Sequence, residues 1–180
     1  ATSQSFKIAD KPDSQEICFI PEGDYRQFIR QRVVETLEPG PILDRQGKVI
    51  GYHEGLIQFT VGQRRGLGIA VGKPVYVIAL DPLKNAVIVG EEAALYSLCL
   101  TAKELNWVAI ENLNSKLEVM AKIRYLHIGA KAVISPLEDN RVKVEFAQPQ
   151  RAITPGQSVV FYQNDILVGG GIISTCGIKI

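Results

Sequence analysis

A cysteine in the polar N-terminal segment is the residue of this sequence that most directly predicts chemistry. Cys18 lies between two proline-containing turns, at residues 11–14 and 21–23. A thiolate is a strong nucleophile and can carry sulfur, provided that the thiol is accessible and its pKa is lowered. Free cysteines are also among the most buried residue types, and the apolar neighbours of Cys18 offer packing. A structural thiol and a reactive thiol are therefore both open interpretations.

The two histidines of the chain are the candidates for a base beside that thiol. A cysteine hydrolase needs a histidine to activate its nucleophile, and only His53 and His127 are available. Nothing in the spacing connects either one to Cys18, so a thiol hydrolase is an alternative that requires hydrogen-bond contact between them. Cys99 and Cys176 are distant and form no C-x-x-C pair, which favours neither a disulfide framework nor a cysteine-based zinc site. Cys99 stands between two leucines and is predicted to be a core residue.

A glycine-rich stretch at residues 60–69 carries the adjacent arginines Arg64 and Arg65. Glycine lets a backbone approach a ligand closely, and a guanidinium group donates a fork of hydrogen bonds that suits phosphate oxygens. The glycine spacing fits neither a Walker A loop nor a dinucleotide fingerprint. The stretch is therefore either a contact with a nucleic-acid backbone or a tight connection with two solvated arginines.

Two further segments offer polar contacts near strand ends. Alternation over residues 117–125 predicts a strand on which Arg124 and Tyr125 face opposite sides. An exposed arginine beside a tyrosine can hold a phosphate and stack a base, although an ordinary barrel strand has the same pattern. A proline–glycine turn at residues 155–156 precedes Gln157, which is predicted to open the next strand at the rim of a barrel.

The elements that position these residues are predicted to be mostly β-strands. Paired β-rich runs predict hairpins around residues 45–48, 81–85 and 163–165. The three glycines at 169–171 predict a strand on which another backbone packs closely. Short strands at regular spacing in the second half of the chain predict a small antiparallel barrel.

The predicted fold class is mainly β, within an α+β organisation, and it has three parts. Residues 1–23 form a loop that carries the cysteine, and residues 24–95 form a helix, begun by Asp24 and extending to about residue 33, plus a small β-rich central domain. Residues 96–180 form a C-terminal antiparallel β-barrel of the six-stranded type.

Composition excludes several classes of protein. The 180 residues include 46% hydrophobic residues, and 20 basic residues nearly balance 19 acidic ones, so a nucleic-acid partner requires a local basic face. No apolar run approaches the ~20 residues of a membrane span, and the first residues of the sequence do not predict a signal peptide. The cysteine usage is typical of a reducing, cytoplasmic compartment.

Taken together, these segments resemble the bacterial tRNA-specific 2-thiouridylases. The resemblance is carried by six stretches that follow one another in the family's order: DSQEICFI at 13–20, HEGL at 53–56, TVGQRRGLG at 60–68, RY at 124–125, TPGQS at 154–158 and GGGII at 169–173. Each stretch alone is a weak signal, whereas the ordered set is specific.

The resemblance implies an enzyme that uses ATP and Mg²⁺ to adenylate the C2 oxygen of the wobble uridine in tRNAs for Lys, Glu and Gln. A cysteine persulfide, loaded by a sulfur-carrier protein, would then supply sulfur to C2. Cys18 matches the persulfide-bearing cysteine. Three residues match positions linked to tRNA contact: Arg124, Tyr125 and Gln157. Arg64 and Arg65 are expected to neighbour the tRNA substrate as well.

The sequence departs from the family in lacking the N-terminal domain that carries the ATP-binding loop, an acid/base residue and a second cysteine. ATP, Mg²⁺ and any other metal are therefore not expected on this chain, and the chain alone is expected to be inactive. The alternative is a non-catalytic RNA-binding β-barrel module associated with translation. A Cys18→Ser substitution separates the two, because only the enzyme depends on that thiol.

Overall fold

The chain is built from β-strands over the residues that the computed structural model describes, 38–176. The strands are β1 Gly40–Leu43, β2 Val49–His53, β3 Tyr76–Asp81, β4 Ala86–Gly90, β5 Tyr96–Trp107, β6 Leu117–Lys122, β7 Ala130–Leu137, β8 Arg141–Arg151, β9 Ser158–Gln163 and β10 Ile166–Cys176. Two short 3-10 helices span Leu56–Gln58 and Glu92–Leu95. The predicted mainly β fold class is confirmed. The predicted loop with Cys18 and the predicted helix over 24–33 lie outside the described residues.

The first four strands form one sheet in the order β2-β1-β4-β3. β1 pairs with β2 and β3 with β4 in antiparallel fashion, which confirms the hairpins predicted around 45–48 and 81–85. The inner strands β1 and β4 are parallel. β4 is buried on both faces, because Val87 and Val89 pack in one apolar cluster and Ile88 packs in another. An inner strand of this kind is a continuous apolar run instead of an alternating one.

The last six strands close into a barrel in the order β10-β5-β8-β7-β6-β9, with every neighbouring pair antiparallel. The predicted antiparallel barrel is therefore confirmed. Alternate residues of each strand point inward, as Val142, Val144 and Phe146 do on β8, and they fill the interior. Closure pairs the edges of the sheet and leaves no open strand for another chain to extend.

The glycines of β10 allow the close backbone contact that their sequence predicts. A Cβ atom added to Gly170 would lie 2.6 Å from the carbonyl oxygen of Val159, and one added to Gly171 would lie 2.7 Å from that of Lys103. Both distances are shorter than real Cβ contacts. Any larger residue at these positions would force the neighbouring strands β9 or β5 to move.

Two predictions about strand positions were wrong. β6 ends at Lys122, so Arg124 and Tyr125 lie in the turn before β7 and not on opposite faces of a strand. The chain turns there because the His127 N–H donates to the carbonyl of Arg124 at 3.1 Å. Gln157 lies in the turn before β9, which begins one residue later.

Cys99 is half-buried and is not the core residue that its leucine neighbours predict. The alternation of β5 directs Leu100 and Ala102 into the barrel, which places Cys99 on the other face. A register shift between Ser97 and Cys99 accompanies this change of face. Cys99 is a free thiol, and no disulfide is present among residues 38–176.

Candidate nucleic-acid interface

The arginine-bearing turns from two separate parts of the sequence contact the same short segment at the end of β8. The Arg124 guanidinium donates from Nη1 to the backbone oxygen of Arg151 at 3.0 Å. Gly62, two residues before Arg64, packs against Ala152, the residue after Arg151, since a Cβ added to Gly62 would lie 3.1 Å from the Cβ of Ala152. The structure therefore attaches the 60–69 loop and the turn after β6 to one place on the barrel.

Gln157 is connected to the same segment through the turn that precedes it. The Thr154 hydroxyl donates to the carbonyl of Ala152 at 3.1 Å, and the Gln157 N–H donates to the carbonyl of Thr154 at 3.3 Å. Two backbone hydrogen bonds of 2.8 Å join Gly156 and Gln157 to Ile173 of β10. The backbone at Gln157 is thus fixed, while its side chain is exposed.

The side chain of Arg151 joins the four-stranded sheet to the barrel. Its Nε lies 3.4 Å from Oε1 of Glu92, and its guanidinium carbon lies 5.7 Å from the centre of the Tyr76 ring. The Tyr76 hydroxyl donates to the other carboxylate oxygen of Glu92 at 3.5 Å. The backbone contributes as well, because the Ala152 N–H donates to the carbonyl of Leu95 at 2.8 Å. Sequence reasoning missed Arg151, which has no local pattern to distinguish it.

The 60–69 loop is held by Gln63, which leaves the two arginine side chains exposed. Gln63 accepts from the Thr60 N–H with its side-chain oxygen and donates to the carbonyl of Arg65 with its side-chain nitrogen, both at 3.0 Å. Its backbone oxygen accepts from Val77 of β3 at 2.9 Å. Within residues 38–176, neither Arg64 nor Arg65 makes an ion pair. Among the described residues, no carboxylate competes with an anionic partner for these two guanidinium groups.

The turn after β6 is held by a neutral histidine. His127 accepts from the Ile123 N–H with Nδ1 at 3.4 Å and donates from Nε2 to the side-chain oxygen of Gln150 at 3.0 Å. Burial lowers the pKa of His127, and the positive charges of Arg124 and Lys122 lower it further, although the hydrogen bond with Gln150 opposes these effects. The neutral form is the one that can accept from Ile123.

His53 also has a structural role in the described part of the chain. It is buried, accepts from the Gly55 N–H with Nδ1 at 3.1 Å and donates from Nε2 to the carbonyl of Asn85 at 3.1 Å. Both ring nitrogens of both histidines are thus engaged by nearby residues. Cys18 lies outside the described residues, so contact between it and either histidine stays a prediction of the thiol-hydrolase alternative.

The described residues do not fit an ATP–Mg²⁺ site. Over residues 38–176, no group of three or more histidine, cysteine, aspartate or glutamate side chains could hold a metal ion. The glycine-rich loop also lacks the lysine and hydroxyl of a phosphate-binding P-loop. Over the same part of the chain, no helix combines the length and the apolar character that a membrane span needs.

Two segments of the chain match models of known protein families. Residues 26–91 match the family model of the tRNA methyl transferase PRC-barrel domain, and residues 97–173 match that of the aminomethyltransferase beta-barrel domain. The tRNA-specific 2-thiouridylase MnmA of Acetivibrio thermocellus is 54% identical over 166 residues, which cover 92% of this chain and 46% of that protein. The chain belongs to the tRNA-specific 2-thiouridylase family.

Other 2-thiouridylases named MnmA show the same relationship. The protein of Heliobacterium modesticaldum is 55% identical over 175 residues, or 96% of this chain and 46% of its own length. That of Halothermothrix orenii is 51% identical over 168 residues, or 93% of this chain and 47% of its own length. The chain therefore spans about half the length of the 2-thiouridylases that it matches.

Proposed function

We infer that this chain is the part of a tRNA-specific 2-thiouridylase that binds tRNA and carries the sulfur-transferring cysteine. The observation that carries the proposal is identity of about half the residues, over more than nine-tenths of the chain, with proteins named for that activity. The contact of the 60–69 loop and the turn after β6 with residues 151–152 supports it independently, because it attaches two arginine-bearing segments from distant parts of the sequence to one place on the barrel.

The proposed reaction is 2-thiolation of the wobble uridine in tRNAs for Lys, Glu and Gln, in the cytoplasm. Cys18 carries the sulfur as a persulfide that a sulfur-carrier protein has loaded. A uridine C2 oxygen is a poor leaving group until it is activated, which is the chemistry that ATP and Mg²⁺ supply to the whole enzyme. The chain spans about half the length of the 2-thiouridylases that it matches, so we assign that activation to the other half of the enzyme and expect the chain alone to be inactive.

The described residues of the proposed site have three chemical roles. Arg64, Arg65 and Arg124 present guanidinium groups to tRNA phosphates, where a bidentate fork is more effective than a point charge. Tyr125 has 70% of its surface exposed and offers a ring to an unpaired base. Gln157 offers an amide that both donates and accepts hydrogen bonds at the barrel rim.

Equilibrium binding of tRNA tests the assignment of the cationic residues. Arg124→Ala should weaken binding about fivefold to tenfold and reduce the slope of log affinity against log salt by about 1, as expected for one lost phosphate contact. Arg141→Ala is the matched control, because Arg141 lies at the other end of β8 and, within residues 38–176, pairs with the nearby Asp139 and the Glu138 carbonyl. Equal effects of the two substitutions would contradict the assignment.

The alternative is a non-catalytic RNA-binding module, to which the barrel and its exposed cations are equally suited. The two functions differ in their dependence on Cys18. In the complete gene product, Cys18→Ser should abolish thiolation while tRNA binding stays within about twofold of wild type. Thiolation that survives this substitution would favour the binding module.

A further inference from the structure

A groove of about 650 Å³ lies between the turn after β6 and the outer face of β8. Leu126 and Ile128 form its apolar wall, with 80% and 93% of their surfaces exposed. Such exposure is unusual for large aliphatic residues side by side in one turn, and it indicates a surface that receives a partner. The His127 hydrogen bonds described above hold the turn in the conformation that presents this wall.

The polar groups of the groove are cations and amides. Arg124 and Lys131 line it, together with the side chains of Gln148 and Gln150, and no aspartate or glutamate of the described residues does. The Gln148 amide makes no hydrogen bond and the Lys131 ammonium makes no ion pair within residues 38–176. An anionic ligand that also has an apolar face and hydrogen-bonding edges matches this combination.

A second groove on the barrel is lined by a different set of charged residues. That groove, of about 830 Å³, also includes Lys131, but Glu118 and Glu145 line it as well. Its carboxylates would repel a phosphate. Charge complementarity therefore selects the groove beside Arg124, and not the larger one, for a nucleic acid.

The geometry points to the groove beside Arg124 as a binding site for one unpaired nucleotide of the tRNA, an inference that rests on the proposed function. The base packs on Leu126 and Ile128, its edge bonds to the Gln148 amide, and a neighbouring phosphate binds Arg124 or Lys131. The volume lies within the range of small-ligand sites, roughly 300–1,000 Å³. Bases in a duplex are stacked inside the helix, so only a nucleotide from a loop or bulge can enter.

Binding of tRNA to the complete gene product tests the site with a matched pair of substitutions. Ile128→Ser should weaken tRNA binding by about fivefold or more, because the apolar contact between the isoleucine side chain and the base is lost. Leu83→Ser is the control, because Leu83 has 99% of its surface exposed but lies in the hairpin between β3 and β4. It should leave the affinity unchanged.

Crosslinking identifies the ligand of the groove. With p-benzoylphenylalanine in place of Ile128, irradiation of the tRNA complex should attach the protein to a nucleotide in a loop or bulge. Attachment only to paired stem nucleotides, or unchanged affinity of Ile128→Ser alongside tight wild-type binding, would overturn the nucleotide site and leave the proposed function standing. Absence of tRNA binding by the wild-type protein would instead refute the proposed function.

Discussion

Removal of the Arg151 side chain should weaken the attachment of the four-stranded sheet to the barrel. Arg151→Ala abolishes the ion pair with Glu92 and the contact of the guanidinium with the Tyr76 ring. It leaves in place the backbone oxygen that accepts from Arg124. The substitution therefore tests the joint without directly deleting the bond that holds the turn after β6.

The expected loss of stability follows from the two contacts. The ion pair spans 3.4 Å between partly exposed side chains, so solvent screening limits it to about 0.2–1 kcal/mol. A cation 5.7 Å from a tyrosine ring contributes about 0.5–1 kcal/mol at a site of this exposure. Together these contacts predict that Arg151→Ala lowers the free energy of unfolding by about 1–2 kcal/mol.

Urea denaturation followed by two probes measures this loss. Trp107 is the only tryptophan and packs against Phe161 in the barrel, with ring centres 6.0 Å apart, so its fluorescence reports the barrel. Circular dichroism reports the sheet and the barrel together. Arg141→Ala, which removes an exposed pair on the same strand, should cost less than about 0.5 kcal/mol. Equal losses of unfolding free energy in the two variants would show that the Arg151 side chain does not stabilise the attachment of the sheet to the barrel.

Three further substitutions follow from the same structure. Gly170→Ala should destabilise the barrel by about 2–4 kcal/mol in the same urea assay, because a Cβ 2.6 Å from the carbonyl oxygen of Val159 forces backbone movement; a loss below about 1 kcal/mol would contradict this packing. His53→Ala should cost about 1–3 kcal/mol, since it leaves a buried N–H and a carbonyl unpaired, and a neutral result would show that water replaces the imidazole. Because the pKa of His127 is lowered in the folded state, the unfolded chain binds the proton at a higher pH than the folded chain does. The free energy of unfolding should therefore decline as the pH falls below about 6.5, the ordinary pKa of histidine. His127→Gln should remove this decline from urea midpoints measured between about pH 7.5 and 5.

The strands and hairpins could be predicted from the sequence because each half-buried strand alternates with period two. The same alternation predicted that β6 continues to residue 125, beyond its observed end at Lys122. Ile123 continues the apolar alternation and is buried, yet it lies beyond the strand, whose last residue is Lys122. A buried residue just beyond a strand has the same sequence pattern as a residue within it. The hydrogen bonds of His127 and Arg124 hold the turn, and the alternation of residue types does not predict them.

The arginines of the candidate site could be proposed from their residue types and their resemblance to a family, but their common attachment point could not. Arg151 occupies an ordinary position at the end of a strand. Its contacts with Glu92 and Tyr76 depend on how the sheet packs against the barrel, which no local pattern encodes. Cys99 shows the converse error, since neighbouring leucines predicted a core position and the strand's alternation directs it away from the barrel interior.

Mass spectrometry of tRNA tests the proposed function most directly. The complete gene product, supplied with ATP, Mg²⁺, a persulfide donor and unmodified tRNA for Lys, Glu or Gln, should convert the wobble uridine to 2-thiouridine. The Cys18→Ser variant should form none while it still binds the tRNA. Wild-type protein that binds these tRNAs and leaves the wobble uridine unmodified, or a Cys18→Ser variant that modifies it at the wild-type rate, would contradict the account.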